Sequence, residues 1–260
     1  MKQLFPLQIV AELPRASDQN YRSVMANDQL TYLYKPWDKK NQASSIEYLC
    51  YALAGICGIR TPNYNAICDI NDHSLFGFGS EYKDEVNGIQ NLATPRIKKI
   101  ARAYCASQFL SELRVLDLFL HNTDRHPKNL LIAPQGKNDL LWAIDFADSL
   151  FHSGSPIGTG LPGGNTDSFY TTIFNEEKLR FDAVSAMVVL QKIRAITTTT
   201  IKDIVANYSS WRTPELASLI DSWDLIKNER IKQIRQSLWN DKNAEILLFP
   251  HKIPARPVKR

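Results

Sequence analysis

The sequence predicts an α+β chain of two lobes, a small strand-rich amino-terminal lobe and a larger, mostly helical carboxy-terminal one. Three observations lead there. Short β-branched and aromatic runs separated by turn formers fill most of the first 80 residues. Apolar residues at helical spacing dominate from about residue 94 onward. Between the first long helical pattern and the later ones sit a tight polar segment and two short apolar runs that pair naturally as a hairpin. The expected boundaries are 1–92 for the first lobe, 93–250 for the second, and 251–260 for a basic tail.

In chain order, apolar runs at 7–13, 22–26 and 30–35 are expected as strands, divided by the turn formers of ASDQNY and NDQ. A helix follows. Ile46, Leu49, Cys50, Leu53 and Cys57 recur at helical spacing, with Ser44 or Ser45 placed to cap it and Gly58 placed to stop it. An extended segment, NYNAICDI, leads to LFGFGS, whose glycines mark a turn or a close backbone approach. Thr94-Pro95 reads as an N-cap with proline at the first helical position. The pattern from Ile97 through Leu116 then predicts one helix of about 25 residues, ending at Asn122. NTDRHPKN breaks it, LLIA and LLWAIDF form the hairpin around PQGKND, and a glycine-rich stretch, GSPIGTGLPGGN, precedes helices expected over 182–196, 200–207, 213–222 and 224–239.

Composition narrows the function classes. No apolar run approaches the roughly 20 residues that a membrane-spanning helix needs, and MKQLFPLQIVAELPR is a poor signal peptide because Pro6 interrupts its short apolar run. The net charge is +4, from 31 basic and 27 acidic residues. The last ten residues hold Lys252, Arg256, Lys259 and Arg260 and no acid, so 31 less 4 leaves the body balanced at 27 against 27. The tail is expected as a frayed terminus, and a nucleic-acid partner is disfavoured because the body shows no basic stripe. The cysteines at 50, 57, 68 and 105 contain no C-x-x-C pair, which argues against zinc-ribbon and thioredoxin chemistry. Cys50, Cys57 and Cys105 are expected as small core residues in a reducing, cytoplasmic setting.

The segment from His121 to Phe146 carries the chemistry. It puts Asp124, His126 and Asn129 in one short loop, and the hairpin would return Asp145 beside them. Amide and carboxylate oxygens suit Mg²⁺, which keeps several waters and is usually completed by substrate phosphates. A second carboxylate can orient a hydroxyl or take its proton. As an ordinary turn, NTDRHPKN would need no function, but Asp145 follows the apolar run LLWAI, and a carboxylate at a buried strand end is costly unless paired or metal-bound.

On these residues the segment resembles the catalytic and metal-binding loops of HipA-like kinases, and DRHPKN followed by IDF also resembles the DRH-x-x-N and IDF elements of phosphatidylinositol 3- and 4-kinases. Both belong to the protein-kinase-like superfamily. YLYKP, SSIEYL, GIRTPNY and FGFGS extend the resemblance over roughly residues 20–150. It implies a bilobal protein-kinase-like fold binding ATP and Mg²⁺, with transfer to a protein Ser or Thr. Asp124 would face the acceptor hydroxyl, His126 would organise the loop, and Asn129 and Asp145 would hold the metal. Lys35 would contact the α/β-phosphates and Glu47 would pair with it. Two departures stand out: DFA at 145–147 in place of DFG, and no G-x-G-x-x-G ahead of Lys35. The phosphate-covering element is therefore expected in ASDQNYRSVMAND, with Ser17, Arg22 and Ser23 as candidate donors.

Other readings stay open at this stage. A nucleotide-binding pseudokinase or regulatory partner, and a lipid or small-molecule kinase, share most of these residues. A metallohydrolase built on His121, Asp124 and His126 fits no zincin spacing. The partners implied are a protein substrate and a regulatory protein, with no membrane.

Overall fold

The computed structural model describes residues 7–12, 22–37, 43–68, 76–81, 96–135, 138–149, 164–206 and 214–239. Ser17, the loop at 153–163, Thr94-Pro95, the junction at 92–93 and the tail from 251 lie outside them.

The amino-terminal strands are β1 (Leu7–Glu12), β2 (Arg22–Ala26), β3 (Thr31–Lys35), β4 (Tyr64–Cys68) and β5 (Phe76–Glu81). They close into a barrel in the order β1-β2-β3-β5-β4, sealed by a short parallel pairing of Leu7 with Ile67 and Gln8 with Cys68. Ile9, Val24, Ala26, Tyr32, Tyr34 and Ile67 fill its interior. The glycines of LFGFGS lie within β5, where backbone and side chains approach closely. A methyl group at Gly77 would collide with the Lys35 carbonyl and the Tyr34 ring, and one at Gly79 with the Ile67 side chain.

Helix α1 (Ala43–Cys57) crosses between β3 and β4. The serines expected to cap it lie inside its first turn. Ser44 is buried, with its hydroxyl 2.9 Å from the carbonyl of Lys35 and 2.8 Å from that of Pro36, which ties the helix start to the end of β3. Gly58, at φ +79°, ends the helix as expected. Ile59 N–H reaches the Ala54 carbonyl and Gly58 N–H the Gly55 carbonyl, a Schellman closure. Lys192 donates to the Cys57 carbonyl at 2.8 Å, adding a cation at the negative helix end.

The single helix expected up to Asn122 is two: α2 (Arg96–Arg102) and α3 (Ala106–Leu120). Tyr104 N–H leaves the helical ladder to bond the Asp139 carbonyl at 2.8 Å, and Cys105 takes a left-handed conformation at φ +55°. Cys105 is therefore exposed, correcting its assignment to the core, whereas Cys50, Cys57 and Cys68 are buried. Beyond α3 come β6 (Leu130–Gln135) and β7 (Asn138–Ala143), paired from Leu130–Ala143 to Gln135–Asn138. Then follow α4 (Asn165–Thr171), a π-helical turn (Thr172–Glu176), α5 (Ala183–Ala195), α6 (Thr198–Val205), α7 (Pro214–Asp221) and α8 (Trp223–Leu238). Asp182 caps α5 and Thr197 caps α6 through their side chains. One hydrophobic core runs from α1 through α3 and the hairpin to Trp223 and Trp239. The result is the α+β division expected: a strand-rich amino-terminal region and a helical carboxy-terminal region. No helix among the described residues is long and apolar enough to cross a membrane.

Candidate active site

Three segments distant in sequence meet at Lys35. Its ammonium lies 2.5 Å from Glu47 Oε1 on α1 and 3.1 Å from Asp145 Oδ1 just beyond β7. Lys35 and Glu47 are buried, whereas the Asp145 side chain keeps about a third of its surface open. The other Glu47 oxygen accepts the Phe146 N–H at 3.0 Å, so one glutamate fastens both the strand lysine and the chain after Asp145. Burial pushes the Glu47 carboxyl up to about 7 against the pull of the Lys35 ammonium. Burial acts in the same direction on Asp145, but there Lys35, with neighbouring hydrogen bonds and Arg125, more than offsets it and holds the carboxyl below its ordinary value. Asp145 sits at φ +55°, a left-handed conformation that turns the chain out of β7.

The loop after α3 is as closely held. His121 ends the helix at φ +54°, with Asn122 N–H on the Asp117 carbonyl. Asp124 N–H donates to Asn122 Oδ1 at 3.1 Å, and the Asp124 carbonyl accepts the Asn129 amide at 2.9 Å. On the Asp124 carboxylate, Oδ1 accepts the Asn165 amide at 2.7 Å and Oδ2 lies 3.5 Å from His126 Nε2. His126 Nδ1 accepts the Lys128 N–H and so caps the 3₁₀ turn Pro127–Asn129. Ile144 N–H bonds the Asn129 carbonyl at 3.1 Å, which brings the loop alongside the residue before Asp145.

Lys35, Glu47 and Asp145 thus form one bonded cluster, and Asp124, His126 and Asn129 a second, joined through the end of the hairpin. Ser23 lies opposite Leu33 and shares the sheet face of Lys35. Arg22 does not: it lies opposite Tyr34 on the other face, donates to Glu12 at 2.8 Å and stacks 5.3 Å from the Tyr34 ring.

The residues that sequence reasoning missed lie beneath the loop. Arg125 is fully buried, and four of its five guanidinium N–H groups are bonded. Nε and Nη2 bind the two Asp117 oxygens at 2.9 and 3.0 Å, while Nη1 donates to the carbonyls of Asn129 at 2.8 Å and Ile144 at 2.6 Å. The guanidinium stacks 4.6 Å from the Phe146 ring. Asp117 also accepts from Asn122 and from the Tyr170 hydroxyl, and Thr166 bridges the Asn122 carbonyl to Arg125 N–H. Asp117 carried a usable signal: a carboxylate within the apolar run RVLDLFL demands a buried partner.

With this geometry the chain has the fold of the protein-kinase-like superfamily. Residues 96–211 match the phosphatidylinositol 3- and 4-kinase family. Among solved structures, the Helicobacter pylori proinflammatory kinase CtkA is similar at 13% identity, over 89% of this chain and 98% of that one, with a TM-score of 0.56. HipA from Shewanella oneidensis MR-1, solved with HipB and operator DNA, is similar at 10% identity over 87% of this chain and 65% of that one, with a TM-score of 0.47. The Golgi casein kinase with Mn/ADP bound gives 11%, 94%, 75% and 0.48 for the same measures. No curated protein sequence matches the chain.

Proposed function

We propose that the chain is an ATP- and Mg²⁺-dependent kinase of HipA-like type that phosphorylates a protein serine or threonine. The observation that carries this is the buried Lys35 ammonium bonded at once to Glu47 and Asp145. A purely structural ion pair needs only one of those carboxylates, and the second is the partly open one. The site also fits the cofactors in its donor chemistry. With its amide nitrogen committed to the Asp124 carbonyl, Asn129 has its side-chain oxygen to offer a cation, and Asp145 adds a carboxylate. Two hard oxygen donors are the usual protein share for Mg²⁺ completed by phosphates and water. Among the described residues, no cluster of three or more His, Cys, Asp or Glu side chains could hold a metal.

Magnesium-bound ATP supplies the transferable phosphoryl group and a cation that offsets its charge. The chain's own residues bind and orient. Lys35 neutralises charge on the α/β-phosphates, Glu47 keeps it from turning away, and Ser23 lies on the same sheet face. Asp124 receives or orients the acceptor proton, its carboxylate held by Asn165 with His126 alongside. Arg125 ties the carbonyl of Asn129 and that of Ile144, just before Asp145, to the buried Asp117. Positioning and electrostatics are the main contributions such a site makes. A cytoplasmic location and a regulatory protein partner belong to the same proposal. The match to phosphatidylinositol kinases favours a second reading, a lipid or other small-molecule acceptor.

The test is transfer of labelled γ-phosphate from Mg²⁺-ATP, by wild type and by Asp124→Asn and Asp145→Asn, to dephosphorylated cell extract and to a panel of lipids and sugars. Protein bands that vanish in both variants are expected. Label on lipid alone would establish the second reading, and ATP binding without transfer would mark a pseudokinase.

A further inference from the structure

We propose that Lys98, Lys99 and Arg102 of α2, together with Lys128, form a docking surface for acidic side chains of the acceptor protein, so that hydroxyls flanked by Asp or Glu are preferred. This rests on the kinase reading above and names the substrate class for the same site. The seven residues of α2, RIKKIAR, hold four basic residues and no acid. Ile97, Ile100 and Ala101 take the core side. Lys98 and Arg102, one turn apart, are exposed, and Lys99 is half-buried. The helix packs against the 3₁₀ turn Pro127–Asn129, whose middle residue, Lys128, is exposed while Asn129 is buried. The helix that carries Lys98, Lys99 and Arg102 therefore adjoins the turn of Lys128, in the loop that carries Asp124.

Among the described residues their charge meets no opposite partner. Among the described residues, no ion pair involves Lys98, Lys99, Arg102 or Lys128. The facing strand brings one acid close in sequence contact, Asp139, which gives its backbone carbonyl to Tyr104 and makes no ion pair with them. The basic groups within the site are treated differently: Lys35 is matched by Glu47 and Asp145, and Arg125 by Asp117. Like charges at i and i+4, as in Lys98 and Arg102, disfavour a helix, so stability does not account for the arrangement. A peptide suits it better than a membrane. Asp124 is half-buried in a loop whose Arg125 and Asn129 are buried, and an extended chain, advancing about 3.3 Å per residue, can place a hydroxyl there and carboxylates on α2. A flat lipid surface reaches only the exposed cations.

Fluorescently labelled peptides with a central serine, flanked either by glutamates or by glutamines, test this by anisotropy on wild type and on the Lys98→Glu/Arg102→Glu variant. The glutamate peptide should bind wild type at least tenfold more tightly, weaken with salt, and lose its advantage in the variant while the KM for ATP and the melting temperature stay unchanged. Lys98→Gln/Arg102→Gln, which removes charge without reversing it, should give an intermediate loss. Equal binding of the two peptides, or an undiminished preference in the reversed variant, overturns the proposal. So does binding to phosphatidylserine vesicles that depends on Lys98 and Arg102 without any peptide preference. Asp124-dependent transfer without charge preference would remove this surface and leave the kinase reading, whereas charge preference without any transfer would do the reverse.

Discussion

Replacing Arg125 by methionine keeps roughly the volume of the side chain and removes its charge. The Asp117 carboxylate is then left fully buried with Asn122 and Tyr170 as its partners, and the carbonyls of Asn129 and Ile144 each lose a donor. Removing one partner of a buried ion pair costs about 3–5 kcal/mol. At about 2–4 °C per kcal/mol for a chain of this size, the melting temperature should fall by roughly 6–20 °C. Arg125→Lys should recover little, because one ammonium cannot reproduce a two-pronged grip on Asp117 together with two carbonyl bonds. Asp117→Asn combined with Arg125→Met should be less damaging than the two single losses added, by at least about 1 kcal/mol, because the charge no longer lies stranded. Thermal melts followed by circular dichroism measure all four proteins. A loss under about 2 °C for Arg125→Met, or strict additivity in the pair, would refute the account of this network.

Three further outcomes are expected. Gly77→Ala should lower ATP binding as well as stability, since its methyl group meets the carbonyl of Lys35; titration with a fluorescent nucleotide at a temperature well below melting separates the two effects. Asn165→Ala frees the Asp124 carboxylate from its 2.7 Å donor and, on the proposed kinase reading, should reduce kcat for phosphoryl transfer about tenfold with the KM for ATP unchanged, as expected for a group that orients the acceptor side alone; a rise in the KM for ATP at constant kcat would contradict it. Glu47 titrates near 7 in the folded chain, above its ordinary 4.5, so its contribution to stability is complete below about pH 4.5 and lost as pH rises through about 7. Melting temperatures of wild type and Glu47→Gln across that range should therefore show wild type losing ground as pH increases, and a constant difference would argue against a buried, proton-binding Glu47.

The parts legible in the sequence were those whose signal is local. Helix α1 carries its own apolar periodicity and a glycine at the left-handed stop, and the hairpin carries two apolar runs around a polar turn, so the convergence of Asp124, Asn129 and Asp145 could be anticipated. The break between α2 and α3 could not, because both helices face the same core and the apolar pattern runs straight through Ala103–Cys105. What stops the helix is a bond from Tyr104 to Asp139, 35 positions away. Arg22 shows what strand register adds: pairing with Tyr34 turns its side chain toward Glu12 and the Tyr34 ring, which nothing local in the sequence announces. The Asp117–Arg125–Thr166–Tyr170 network joins residues up to 53 apart, with no periodicity to announce it.

The closed strand barrel has a consequence for recognition. Each of its five strands is paired on both sides over at least part of its length, with the parallel contact of β1 and β4 sealing the ring. A sheet of this kind presents little free main chain for another polypeptide to zip onto, the route by which many proteins capture extended ligands or aggregate. Whatever approaches these five strands must be read through side chains, by shape and charge. In the described hairpin the outer edge of β7 is already bonded by Tyr104 and Arg60, so a guest strand there would have to join β6, which begins directly after Asn129 and so at the threshold of the candidate site.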